Sequence, residues 1–193
     1  MSSKRLDAIV SEVLICIKCP LSETRRNAVP GEGNAKAEIM LIGEAPGRSE
    51  DLQGRPFVGS AGNFLEALLG EIGLSRADLF ICNILKCRPP NNRPPKPLEV
   101  QTCTPYLDRQ IKTVKPKLIV SLGSHSTAYT FSKFGLQFTS ITEVHGKFFE
   151  AVVYGKRVKI FPSYHPAAAL YNPQYKKQII EDFKKLKQET KIK

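Results

Sequence analysis

Four of the five cysteines in the 193-residue sequence fall in a pattern that could hold a metal centre. Cys16 and Cys19 form a C-x-x-C pair, which brings two thiolates within reach of one ion or cluster. Cys87 and Cys103 form a second pair, with fifteen residues between them and a proline-rich segment in that gap. Four thiolates suit either tetrahedral zinc or a cubane iron-sulfur cluster, and the spacing alone does not choose between them. Scattered core cysteines are the alternative reading, since free cysteine is often simply a small buried hydrophobe. Cys82 lies inside the apolar run L-F-I-C-N-I-L and is read as core. If all four remaining thiols are ligands, the centre has no open position for a substrate and is structural. It would clip the N-terminal helix to K-C-R-P-P-N-N-R-P-P-K-P (86–97), a loop with five prolines and four basic side chains, and so fix Arg88 and Arg93. That loop cannot be regular structure.

Positioning these residues requires a frame, and the hydrophobic pattern supplies one. Leu6, Ile9, Val10, Val13, Leu14 and Ile17 recur at helical spacing, which predicts a helix closed by Cys16 to Pro20. Residues 37–42 (A-E-I-M-L-I) read as a buried strand running into the G-E-A-P-G loop. Phe64, Leu65, Leu68, Leu69 and Ile72 then line a helix ending near Gly73. The unit repeats as strand 79–85, helix 98–113, strand 118–122 and a helix from Ser124 to Phe134. Such alternation predicts a parallel sheet. A hairpin over 148–161 turns at Tyr154-Gly155-Lys156, and a last helix carries Ile179, Ile180, Phe183 and Leu186 inward. In open parallel sheets, ligands bind beyond the carboxyl ends of the strands. Three unusual loops, 43–59, 83–97 and 162–173, begin at such ends and are expected to converge on one site.

Composition narrows the partner. Lys and Arg number 29 against 18 Asp and Glu, a formal charge of +11, which favours polyanions and nucleic acid in particular. No apolar run reaches bilayer length, and Met1 to Leu6 lacks the pattern of an export signal. An odd cysteine count in an ordinary composition argues against a secreted disulfide framework. These features predict one domain over 1–193 in a soluble, intracellular, nucleoid-associated monomer without membrane contact.

The motifs G-E-A-P-G (43–47), G-R-P-F-V-G (54–59), C-N-I-L-K-C-R-P-P-N-N-R (82–93) and H-P-A (165–167) together resemble family 4 of the uracil-DNA glycosylases, from the first cysteine pair to about Pro173. The resemblance implies a three-layer α/β/α sandwich around a short parallel sheet. It also implies one structural four-iron, four-sulfur cluster on Cys16, Cys19, Cys87 and Cys103. The implied activity is hydrolysis of the N-glycosidic bond of deoxyuridine in single- and double-stranded DNA by base flipping, releasing uracil and leaving an abasic site. A related cluster-bearing glycosylase of broader specificity is one rival. A non-enzymatic nucleic-acid-binding module is another, but it leaves Phe57, Asn83 and His165 in matching motifs unexplained.

The implied roles are chemically coherent. Uracil presents an N3–H donor beside an O4 acceptor, and the Asn83 carboxamide can answer both, whereas cytosine offers the reverse pattern. Phe57 can stack on an extruded base. The resemblance gives Glu50 the space beside C5, where thymine carries its methyl. It gives His165 a hydrogen bond to uracil O2, which would strengthen as the leaving group becomes anionic. Main-chain groups of Glu44, Ala45 and Pro46 would hold the base edge, with the Glu44 carboxylate facing the cationic sugar. Ala45 stands where the G-Q-D-P-Y branch of the superfamily carries a water-positioning aspartate. Either Glu44 or Glu50 substitutes for it, or the dissociative transition state needs little activation of water. Leu170 or Tyr171, in A-A-A-L-Y-N-P, would fill the gap left in the duplex by the flipped nucleotide.

Overall fold

A computed structural model describes residues 2–190. The centre of the sheet is built on largely apolar, buried runs, as expected where helices cover both faces. Its strands are β1 (Glu32–Gly33), β2 (Ile39–Gly43), β3 (Leu79–Asn83), β4 (Leu118–Leu122), β5 (Phe149–Val153) and β6 (Lys156–Ser163). Their order is β1-β3-β2-β4-β6-β5. The inner four strands are mutually parallel, and the two edges, β1 and β5, are antiparallel to their neighbours. Between β5 and β6 the chain reverses through Tyr154 and Gly155, both at positive φ (48° and 78°), the backbone of a two-residue hairpin turn.

The helices are α1 (Ser2–Leu14), α2 (Leu21–Thr24), α3 (Arg48–Gln53), α4 (Ser60–Glu71), α5 (Pro97–Val114), α6 (Ser124–Lys133), α7 (Ile141–Val144) and α8 (Pro173–Thr190). Successive strand residues point to opposite faces, and the core divides accordingly. Met40 and Ile42 join Ile9 and Val13 of α1, Leu107 and Ile111 of α5 and Phe131 of α6 on one face. Leu41 joins Leu65 and Leu69 of α4 and Phe183 of α8 on the other. The result is the expected α/β/α sandwich. No helix among the described residues is long and apolar enough to cross a membrane.

Several local expectations are corrected. The first helix stops at Leu14, and Leu14 and Ile17 are 51% and 84% exposed, so only Leu6, Ile9 and Val13 form its buried stripe. The chain leaves the helix one turn early to bring Cys16 and Cys19 across α5. The strand expected over 79–85 ends at Asn83. Ile84 and Leu85 instead donate their N–H groups to the carbonyls of Gly43 and Glu44, so the loops after β2 and β3 run side by side. Part of the segment expected to be loop over 43–59 is the short helix α3.

Ile9 is 2% exposed, and α1 packs against α5. Ile9→Ala should therefore destabilise the fold by about 2–5 kcal/mol, seen as a lower denaturation midpoint at unchanged slope.

Candidate active site

The inner strands β2, β3, β4 and β6 give a doubly wound order whose direction of winding reverses between β2 and β4. Ligands of such sheets bind at the carboxyl ends beside that reversal. A cavity of about 450 Å³ opens there, within the range of small-molecule sites. Glu44, Glu50 and Phe57 line it from the first expected loop, Asn83, Asn92 and Arg93 from the second, and His165 and Tyr171 from the third. The three loops do converge.

Asn83 closes β3 and is 2% exposed, yet its Oδ1 has no hydrogen-bond partner. A buried acceptor left unpaired costs about 1–3 kcal/mol, so the site is built to receive an N–H donor. Its neighbours crowd it on purpose-made terms. A Cβ at Gly43, the register partner of Asn83, would lie 2.3 Å from Oδ1 and 2.6 Å from Cζ of Phe57. Phe57 is buried at φ 51°, a left-handed conformation that costs a non-glycine residue about 1–3 kcal/mol. Arg76 holds it there, donating to the carbonyls of Pro56 (2.6 Å) and Phe57 (3.0 Å) while paired with Glu32 (2.7 Å). At Gly62 a Cβ would meet the Phe57 carbonyl oxygen at 2.0 Å, so the loop can lie against α4 only over glycine.

The His165 ring lies alongside that of Phe57, with centroids 5.7 Å apart and planes inclined by 26°. The Ala167 N–H donates to Nδ1 (3.2 Å), which leaves Nε2 to carry the proton of the neutral ring. Burial pushes the imidazole pKa down to about 4, against a smaller upward pull from the Glu50 carboxylate. His165 is therefore a neutral N–H donor at pH 7.

The acidic residues divide sharply. Glu50 lines the cavity, but Oε1 accepts from the N–H groups of Val58 and Gly59 (both 2.9 Å) and Oε2 from Gly47 (3.1 Å). It ties the two halves of the first loop together. The Glu44 carboxylate instead pairs with Nδ1 of His125 at 2.9 Å. His125, three residues beyond β4, escaped the sequence reading. Its signal was positional, a polar side chain on the one strand end that had been given no role.

Of the residues expected to meet DNA, Arg88 donates to Asn92 Oδ1 (2.7 Å), and Arg93 forms a two-point pair with buried Glu99 of α5 (2.5 and 2.9 Å) that occupies much of its charge. Leu170 and Tyr171 are 47% and 88% exposed, and only Tyr171 also lines the cavity. Lys86, counted from sequence among the basic side chains of this loop, is 1% exposed.

Cys16, Cys19, Cys87 and Cys103 line one small second cavity, between the arm after α1, the loop after β3 and α5. Cys82 lies apart, buried in β3. Among the described residues no group of His, Cys, Asp or Glu is arranged to hold a single metal ion. Arg25 donates to the Cys87 sulfur (3.0 Å) and the Lys86 N–H to the Cys103 sulfur (3.1 Å). Burial raises the Cys87 thiol pKa and pushes that of Cys103 up to about 12.

Residues 30–186 match the family model of the uracil DNA glycosylase superfamily, and the chain belongs to that superfamily. Similar proteins named type-4 uracil-DNA glycosylase occur in Saccharolobus solfataricus (56% identical, covering 95% of this chain and 85% of the relative) and Sulfurisphaera tokodaii (56%, covering 95% and 84%). A third, from Archaeoglobus fulgidus, is 52% identical and covers 94% of this chain and 91% of its own. Within the superfamily the chain belongs to the type-4 uracil-DNA glycosylases.

The depressed pKa of His165 has a readable sign. Between about 6.5 and 4 the unfolded chain binds its proton and the folded chain does not, so this residue's contribution to stability falls as pH drops through that window. An NMR titration of its ring protons, assigned by their absence in His165→Gln, should show a midpoint near 4; a midpoint near 6.5 would contradict the neutral donor.

Proposed function

We propose that this protein removes uracil from DNA, hydrolysing the N-glycosidic bond of deoxyuridine and leaving an abasic site in an unbroken strand. The observation that carries the reading is the orphaned, buried Asn83 Oδ1 at the wall of a cavity also lined by Phe57 and His165. Uracil N3–H supplies the missing donor, and the Asn83 amide donates to O4. Cytosine would leave these groups unpaired, which is how hydrogen-bonding sites reject near-isosteres strongly. Phe57, strained into place, offers its ring to the base. Glu50 is already committed to three N–H groups, so it acts against thymine by rigid position, as part of the wall facing C5.

Breaking the bond places negative charge on uracil and positive charge on the sugar. The Nε2–H of His165 meets the first at O2, its hydrogen bond strengthening as the charge develops. Glu44 meets the second. With Glu50 engaged and Ala45 lacking a carboxylate, Glu44 is also the acid best placed to orient water, and His125 holds it. A base this deep is reached only after extrusion from the stack. Tyr171, at the cavity mouth, is the side chain suited to fill the gap, with Leu170 beside it. Arg88 and Arg93 flank the strand, and no step of this recognition requires a second strand, so both single- and double-stranded DNA are substrates for a monomer of one domain.

The four cysteines fit a four-iron, four-sulfur cluster. They enclose a common cavity from three elements, and N–H donors reach two of the sulfurs. Such a cluster supplies a fixed cross-link and takes no part in bond rupture.

Purified protein should release uracil from single-stranded and U:G duplex oligonucleotides without added metal, and should carry about four iron atoms per chain. An intact glycosidic bond after prolonged incubation defeats the reading. Asn83→Asp replaces the amide donor with an acceptor and should cost uracil release about 10–100-fold, the loss expected for one or two hydrogen bonds in a buried site, while narrowing the preference for uracil over cytosine. Unchanged selectivity removes Asn83 from base recognition.

A further inference from the structure

Lys86 is left over by the reaction just described. Its side chain lies entirely inside the protein, and its Nζ donates to the main-chain carbonyl of Asn83 (2.9 Å) and to Oε1 of Gln110 (2.7 Å). Gln110, itself fully buried on α5, is fixed in turn by donating to the Pro30 carbonyl (2.7 Å). Among the described residues Lys86 forms no ion pair with a carboxylate. An ammonium held only by neutral acceptors in the interior is unfavourable unless an anion lies near it. The same residue forms part of the wall of the four-cysteine cavity, and its N–H donates to the Cys103 sulfur. One residue thus touches both, its side chain the base-reading strand end and its main-chain N–H a sulfur of the thiol cavity.

We propose that Lys86 is a positioning residue that couples the two. Four thiolates with a bound cluster carry the net negative charge that the buried ammonium lacks, and the ammonium in return fixes the carbonyl of Asn83, and with it the aim of the carboxamide. The coupling rests on the reading of the cysteines as cluster ligands and of Asn83 as the reader of uracil. It differs from a packing role because it links two measurable properties, retention of iron and affinity for the base.

Lys86→Met keeps the length of the side chain and removes its charge. In the iron-loaded protein, inhibition by free uracil should weaken by about tenfold, the scale of one lost hydrogen bond to a charged group, and release of iron to a chelator should become several-fold faster. A role in packing alone would lower the melting temperature and leave the uracil inhibition constant of the folded fraction in place. If Lys86→Met does not accumulate, Gln110→Glu carries the test. It gives the ammonium a carboxylate of its own, and should speed iron release while leaving uracil inhibition closer to wild type. Iron release at the wild-type rate in whichever variant is obtained, or a wild-type chain that binds no iron, overturns the coupling. A wild-type protein that does not release uracil overturns the proposed function instead. An active, iron-bearing wild type matched by Lys86→Met in both measurements overturns the coupling alone.

Discussion

An amide oxygen buried without a partner is tolerated only where the surrounding chain leaves it no way to relax, and the organisation of this site follows from holding Asn83 Oδ1 in that condition. Parallel pairing of β2 with β3 puts Gly43 opposite Asn83, and the absence of a side chain at 43 opens the space that the amide and the Phe57 ring share. The Asn83 carbonyl is held from behind by Lys86. The Phe57 loop is kept in its left-handed turn by Arg76, which must itself be held by Glu32. Each of these contacts removes a conformation in which the oxygen could find a donor of its own. The unfavourable energy stored at one atom is thus distributed over restraints on three loops, a pattern usual at sites shaped for a ligand rather than for stability.

The same economy governs charge. Glu50 and Arg93 line the cavity and would on composition alone make it strongly ionic, but Glu50 is occupied within its own loop and Arg93 by Glu99 of α5. The groups left to face a ligand are a neutral imidazole, a neutral amide and one carboxylate, Glu44, paired to His125. For a reaction that separates charge, this is a favourable starting point. A neutral donor binds the neutral base modestly and the departing anion more strongly, so its contribution grows toward the transition state rather than being spent on the ground state.

How much of this could be read from the sequence depended on whether the cause was local. The run L-I-V-S-L marked β4 to the residue, because a strand covered on both faces must be apolar throughout. Convergence of the three loops was legible from the rule for parallel sheets. The end of α1 was not. Leu14 and Ile17 continue the helical period but lie outside, since periodicity reports a face and not the point where a C-x-x-C arm turns away. The burial of Lys86 was not legible either, because a lysine in a basic loop is ordinarily solvated, and its acceptors lie on the strand end before it and on Gln110, 24 residues further on in α5. The partners of Glu50 are main-chain N–H groups, which leave no trace in residue types. His125 meets Glu44 only because β4 lies beside β2, a fact of strand order rather than of either segment.

The family match begins at residue 30, beyond Cys16 and Cys19, while every residue lining the candidate base pocket falls within it. The pocket and the thiol arm are therefore separable in sequence, though not in structure. One route from the arm to the pocket runs through the loop after β3, and another through the hydrogen bonds of Arg26 and Asn27 to Asp51 of α3. Cys87 lies near the start of the loop that follows β3, and Cys103 lies on the helix that follows that loop, so restraining both thiols would restrain the two ends of a segment whose five prolines already limit its motion. Prolines stiffen a loop without saying where it points. Tying its ends to the arm after α1, as the proposed cluster would, supplies the missing direction, and Lys86, buried in that loop, would return the restraint to Asn83. Rigidity from composition and the placement a bound cluster would add act on the same dozen residues, those that follow the Asn83 amide in the cavity wall.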